Sequence, residues 1–377
     1  MEPTCVHLCP TSSPDDVQHG LDVVVRSGAK SLLILACDAD RWTPDTIDTC
    51  LTALPFPVFG GIFPQLIHGD RRLDHGTLLI GLASPVEVIV LDRLSTRGET
   101  LHDEIRTRCA AVARAAGLIV LVDGLATHIE PFVESLYSLV GAGPNVVGGG
   151  AGSLDFIQKP CLFTNAGLVQ DAAIVVGLPF AVGRGVQHGW EVLDGPYLVT
   201  GSHGHVLETL NYRPAFDVYR ERVEAASVLR FADRDFFSIA KTYPFGIERL
   251  DGDLLVRDPI RVDHGALICV GDVPEHAMVY VLQGRPARLI ESAGEAASEA
   301  RGGSTPLGTT DMPSALVFDC ISRVLFLDAE FDRELNAIRR GLGVHRHAFG
   351  ALTLGEITNT RNGPISLLNK STVIGVF

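Results

Sequence analysis

The residues that could do chemistry in this chain are thiols, imidazoles and an arginine near a strand end, and their spacing sorts them. Cys5, His7 and Cys9, in CVHLC, alternate along the chain, so an extended strand would place all three on one face. A tetrahedral metal site needs at least one more ligand, and no second Cys/His cluster with zinc-like spacing occurs. A strand face is the expected role. Cys320, in FDCISR, ends an apolar run and has Arg323 three residues on, a cation able to lower a thiol pKa. With no histidine partner assignable to it, two readings stand: a buried structural cysteine, or the reactive thiol of an enzyme.

Of the 13 histidines, most lie in loops beside glycine or charge. His68 and His188 differ. His68 ends IFPQLIH, an apolar run that follows Gly60 and Gly61. An imidazole among Phe, Leu and Ile could face a flat apolar cofactor such as haem, and desolvation there favours the neutral form that ligation requires. His188, in GVQHGW, stands beside Trp190, a pairing suited to a pocket wall. For haem iron His68 is the expected ligand and His188 the alternative, with Trp190 covering a porphyrin edge.

The usual catalytic and phosphate-binding signatures are missing. No G-x-x-x-x-G-K-[ST], G-x-S-x-G, H-E-x-x-H or C-x-x-C occurs. GGGAGS at 148–153 follows a strand-like run, but Pro160 comes soon after and no helix start is evident, so a dinucleotide fingerprint lacks its context. A net charge of −14 argues against nucleic acid and against anionic lipid surfaces. No apolar run approaches the roughly 18 residues of a membrane span, and no export signal opens the chain. Eight scattered cysteines, most inside apolar stretches, suit a reducing compartment, so a cytoplasmic protein is expected.

The elements that must position these residues repeat. SLLILACD, TPDTIDTCLTAL, PVFGG and GTLLIGLA read as strand, helix, a glycine-marked strand and a further strand. GLIVLVDG, THIEPFVESLYSLV, NVVGGG and DAAIVVGL follow the same order 86 residues later, from 31 to 117. SALVFDC, EFDRELNAIRRGL, FGALTLGE and STVIGVF make a third copy from 314. The sequence therefore predicts an α/β fold of repeated strand–helix–strand units in layered mixed sheets. Closely spaced strands at about 250–285 add an antiparallel meander in the C-terminal half. Glycines recurring at one place in each copy mark either close backbone packing or the floor of a pocket.

The order HGWEVLDGPYLVT then ETLNYRPAFDVY, with NVVGGGAGS upstream, resembles the end and the glycine-rich turn of the N-terminal FIST domain. YPFGIERLDGDLLVRDPIRVD, ALICVGDVPEHAMVYVL, SALVFDCISRVLFL, ELNAIRRGL, FGALTLGEI and LLNKST resemble the C-terminal FIST domain in order. The resemblance implies two domains, 1–218 (units at about 25–100 and 115–205) and 219–377 (meander, then a third unit at about 314–377). It implies a sensory, non-enzymatic protein that binds a small molecule. One variety would be a haem-based nitric-oxide sensor acting on a separate histidine kinase, since neither end carries a fused output segment. HRHAFGALTLGE is richer in histidine than the family pattern, so the ligand type does not carry over directly; an amino-acid-like ligand is the alternative. A site between units would gather Gly60, Gly61, Gly149, Gly150, His188, Arg323 and Glu356, with Arg323 and Glu356 orienting the ligand's carboxylate and amine. Homo-oligomers are compatible with this reading.

Overall fold

A computed structural model describes residues 3–11, 13–96, 98–249, 252–303, 315–343, 346–360 and 363–377. The first repeat runs β1 (Pro3–Cys9), α1 (Pro14–Arg26), β2 (Ser31–Cys37), α2 (Pro44–Thr52), β3 (Val58–Phe63), the hairpin β4 (Gln65–His68) and β5 (Arg71–Leu73), and β6 (Thr77–Leu82). The second repeats that order as β7 (Glu87–Leu91), α3 (Leu101–Arg108), β8 (Gly117–Asp123), α4 (Ile129–Val140), β9 (Asn145–Ala151), β10 (Leu162–Thr164), β11 (Gly167–Val169) and β12 (Ala173–Leu178). The repeat thus begins one strand and one helix earlier than the sequence periodicity suggests. The third opens with β13 (Gly183–Gln187) and is then interrupted.

The interruption is an antiparallel barrel-like sheet built from β14 (Glu191–His203), β15 (Val206–Leu210), β16 (Arg213–Pro214), β17 (Phe245–Glu248), β18 (Leu254–Asp263), β19 (Ala266–Val270) and β20 (Met278–Gln283), with α5 (Ala215–Ala226) and α6 (Phe236–Ala240) between β16 and β17. The strand order is β14-β20-β17-β18-β19-β15-β16, and pairing of β14 with β15 closes it. The expected meander is present as β17–β18–β19, but β20 returns to pair with β17 and β14. Tyr219 of α5 is buried in the barrel core and donates its hydroxyl to the Tyr243 carbonyl at 2.8 Å.

The third repeat then resumes with α7 (Pro286–Gly302), β21 (Ala315–Cys320), α8 (Ile321–Leu327), α9 (Phe331–Leu342), β22 (Ala348–Thr353), the hairpin β23 (Glu356–Asn359) and β24 (Ile365–Leu368), and β25 (Thr372–Val376). Position 218 falls within α5, and the barrel has strands on both sides of it.

Each repeat builds a six-stranded sheet on a parallel pair: β2/β3, β8/β9 and β21/β22. The hairpins do not stay at home. β4–β5 of the first repeat pairs with β22, β10–β11 of the second with β3, and β23–β24 of the third with β9. This cyclic exchange leaves no repeat complete by itself. The inner faces of all three sheets share one core, including Phe59, Ile119 and Phe318, while helices cover the outer faces. Burial on both faces explains the unbroken apolar runs such as SLLILAC and GLIVLV.

The recurring glycines lie inside the second parallel strand rather than after it. Gly60, Gly148 and Gly350 pair with Ile34, Val120 and Val317 at one register. A Cβ at these glycines would lie 1.9, 1.7 and 2.0 Å from the facing carbonyl oxygen. Close backbone approach therefore accounts for the repeated glycine. Among the described residues no helix is long and apolar enough to cross a membrane.

Candidate functional site

Where the barrel meets the third repeat, a cavity of about 290 Å³ opens. Its walls come from the end of β13 (Val186, Gln187) with His188, from the β17–β18 turn (Arg249, Asp253, Leu254), from α7 (Glu299), and from residues flanking β24 (Thr360, Asn369, Ser371). The insertion creates this site, because one wall belongs to the barrel and the others to the repeat it interrupts.

The polar groups on the wall are specific. His188 Nδ1 accepts the Trp190 N–H at 3.0 Å, which leaves the ring proton on Nε2 and makes that nitrogen a donor. Burial, with Arg323 and Arg288 nearby, lowers the His188 pKa to about 4, so the ring is neutral. Arg249 donates to Ser366 Oγ at 3.3 Å and places a cation in the same cavity as Asp253 and Glu299. The Thr360 hydroxyl is buried without a hydrogen-bond partner among the described residues. A buried hydroxyl in that state costs stability unless something else satisfies it.

Behind this wall lies a buried charge network. Arg323 is 0% exposed. Its guanidinium donates to Glu334 at 2.9 and 2.7 Å, to the His188 carbonyl at 2.6 Å, to Leu289 O at 2.9 Å and to Lys370 O at 3.2 Å. Asp319 lies 3.3 Å from Arg323, and burial with Glu334 alongside pushes its carboxyl well above the usual range. Lys370 pairs with Asp258 at 3.1 Å and lies over the Trp190 ring at 4.8 Å. Glu356 accepts from Thr353 Oγ1 at 2.8 Å and from the Ser371 hydroxyl and amide at 2.6 and 3.1 Å. Burial raises Glu356 to about 7. Ser371 therefore joins the cavity wall to a carboxyl poised near neutrality.

These positions sort the residues singled out in the sequence. His188 lines the cavity, while Arg323, Glu356 and Trp190 stand behind it and hold its wall. Arg323 and Glu356 do not line the cavity: the guanidinium is fully engaged within the protein, and Glu356 is held by Ser371 and Thr353. Gly60, Gly61, Gly149 and Gly150 are buried where sheets and exchanged hairpins meet, away from the cavity. Added methyls would strike Ile34 O, Phe63, Thr353 and Leu354 O. Cys320 is buried, its thiol is pushed up strongly by desolvation, and it hydrogen-bonds to Glu356, the reverse of an activated nucleophile. It stands three residues past Val317, as buried Cys37 stands three past Ile34, so it occupies a core position of the repeat.

His68 sits on the exchanged hairpin, its ring stacked on Phe349 at 5.9 Å. Burial lowers its pKa as expected from the apolar run, with His347 and Arg71 adding to the effect. The residues do not fit an axial haem ligand: His68 packs against a strand and lines none of the cavities described, and His188 offers the cavity an N–H rather than a lone pair. Sequence reasoning missed Arg249, Thr360, Glu299 and Asn369. They lie on three separate elements, and only the barrel's position gathers them.

Comparison with protein families matches residues 31–213 to the FIST N domain and residues 215–359 to the FIST C domain. Comparison with curated proteins gives no match.

Proposed function

Since the chain belongs to the FIST family of small-ligand sensory domains in signal transduction, we propose that the cavity between barrel and third repeat is its sensor site and takes an amino-acid-like zwitterion. One observation carries this reading: a small cavity lined at once by a cation, two carboxylates and a buried hydroxyl with no partner among the described residues. Its volume lies at the lower end of the roughly 300–1,000 Å³ usual for ligand pockets, which suits a small metabolite. Arg249 would take the ligand carboxylate, and Glu299 with Asp253 its ammonium group. Thr360 and the His188 Nε2–H would read a polar side chain.

Binding at this seam draws the barrel and the third repeat together, and that shift is the signal. A separate protein, such as a histidine kinase, would receive it. The thiols of the described residues are all free, which suits a cytoplasmic setting.

The test is a thermal-shift screen of the purified protein against the standard amino acids, followed by calorimetry. At least one is expected to raise Tm. Arg249→Ala and Thr360→Val should weaken it on the order of 10- to 100-fold, the loss of one charge-assisted or buried hydrogen bond. Binding unchanged in both variants, or no shift with any amino acid, overturns the reading. A Soret band after expression with haem that disappears in His68→Ala would put haem in its place.

A further inference from the structure

We propose that β1 and α1 form a second site, for a zinc-class divalent cation, with His7, Cys9 and Asp16 as ligands and His19 as the fourth. The sequence offers CVHLC but no partner cluster; the fold supplies the partners from the following helix. One ligand atom from each of His7, Cys9 and Asp16 lies within 4.8 Å of the others. His19 is one helical turn beyond Asp16, and its ring centroid is 5.9 Å from that of His7. A strand pair at i, i+2 thus faces a helix pair at i, i+3: His7, Cys9 and Asp16 offer nitrogen, sulfur and oxygen within 4.8 Å of one another, and His19 stands beside His7 on the exposed side. That donor set is borderline-soft and suits tetrahedral zinc.

A second feature points to the same place. Gly20 of α1 faces the cluster, and a Cβ there would lie 2.7 Å from His7 Cδ2 and 2.8 Å from Cys9 Sγ. The helix has no side chain where the two donors need room. The third repeat solves its strand–helix contact differently. There Gly185 of β13 would place a Cβ 1.8 Å from the Ala296 carbonyl oxygen of α7, so backbone meets backbone. Neither β7 nor β13 carries a cysteine or histidine. The donors are therefore no requirement of the repeat. Cys9 is buried, His7 and Asp16 are half-buried and His19 is exposed, which leaves an entry path past His19.

Asp16 is already oriented, since its Oδ2 accepts from the amide and hydroxyl of Thr11 at 3.1 and 3.0 Å. On binding, the Cys9 S–H bond breaks, its proton leaves to solvent and a metal–sulfur bond forms, so affinity rises with pH. The site would tie the edge strand to its helix, far from the sensor cavity in sequence and on another repeat.

The experiment is titration of the chelator-treated full chain with Co²⁺ and then Zn²⁺. One equivalent of Co²⁺ is expected to give tetrahedral d–d absorption with a thiolate-to-cobalt charge-transfer band, which one equivalent of Zn²⁺ removes. Cys9→Ser should abolish the charge-transfer band, and His7→Gln should weaken Co²⁺ binding by at least the roughly 10- to 100-fold that an outer-shell change costs. Cys50→Ser should leave both unchanged, and circular dichroism checks that each variant is folded. Absence of the charge-transfer band in the parent chain overturns the site. So does a band that survives in Cys9→Ser, or unchanged affinity in folded His7→Gln.

Discussion

In the first repeat, the chain leaving β2 meets solvent. Asp38 takes the Ser153 hydroxyl at 2.6 Å and a partly exposed Lys159 at 2.8 Å, beside a cavity of only about 110 Å³. In the third repeat, the equivalent end of β21 is roofed by the inserted barrel. Arg323, Glu334, Asp319, Glu356, Lys370 and Asp258 are buried there, next to the cavity of about 290 Å³. The frame is shared down to the glycine facing a carbonyl. What differs is solvent access, which turns weak surface charge pairs into a network whose protonation states are set by burial. The proposed sensory site lies where the repeat is interrupted, because there the duplicated frame gains a lid of different origin.

The largest effect should fall on what the repeats share. Gly60→Ala, Gly148→Ala and Gly350→Ala each drive a methyl into a backbone carbonyl and should cost upwards of about 4 kcal/mol. Urea unfolding, or recovery of soluble protein, measures it. If one of the three is tolerated, the repeats are not equivalent at that register.

The next effect should separate them. Arg323→Met leaves Glu334 buried without its partner and should cost roughly 3–5 kcal/mol. Lys159→Met, which removes the partner of Asp38 at the first-repeat end, should change stability by no more than about 1 kcal/mol, because that pair is partly exposed and screened. Equal losses in denaturant titration would mean that burial does not distinguish the two ends.

A subtler contrast is in pH. Glu356 has its folded pKa raised from 4.5 to about 7. The folded state therefore holds a proton that the unfolded chain has released between those values. Its stabilisation is complete below about 4.5 and is lost as pH rises to about 7, on the order of 3 kcal/mol in all. His188 works oppositely: lowered from 6.5 to about 4, it favours the folded state above 6.5 and loses that contribution as pH falls toward 4. Glu356→Gln should therefore make the decline between about 4.5 and 7 shallower by the Glu356 contribution, while His188 still opposes it over about 4 to 6.5. An unchanged pH profile in that variant would show that Glu356 does not titrate in this window. Smallest of all, native Cys320 should resist a thiol reagent that labels half-buried Cys50, since desolvation and burial both protect it.

Much of the frame was legible from local pattern. Thr43 caps α2 with a capping box, and the apolar runs at 31, 117 and 315 are the buried central strands. The candidate site was legible only in part. His188 reaches the cavity, and its neighbour Trp190 is buried behind it with Nε1 donating to the Lys370 carbonyl. Arg323 and Glu356, expected together at the site, stand behind the cavity wall and do not line it. Nothing in a linear pattern says that Arg323 will find Glu334, Leu289 O and His188 O around it and have no donor left over.

Periodicity and glycine spacing determined, from the sequence by itself, that this chain repeats an α/β unit three times and carries an antiparallel insertion. These are short-range properties: apolar runs report burial, and a glycine reports a place where no Cβ fits. Only the tertiary structure decided that the hairpins rotate among the repeats, that β1 and α1 bring His7, Cys9 and Asp16 together, and that the barrel closes over the third repeat. Each of those depends on contacts between residues far apart in the chain, such as Thr358 with Val146 or Ser322 with Asp258. Burial, and with it pKa and hydrogen-bond saturation, is a property of that assembled surface and not of any segment read alone.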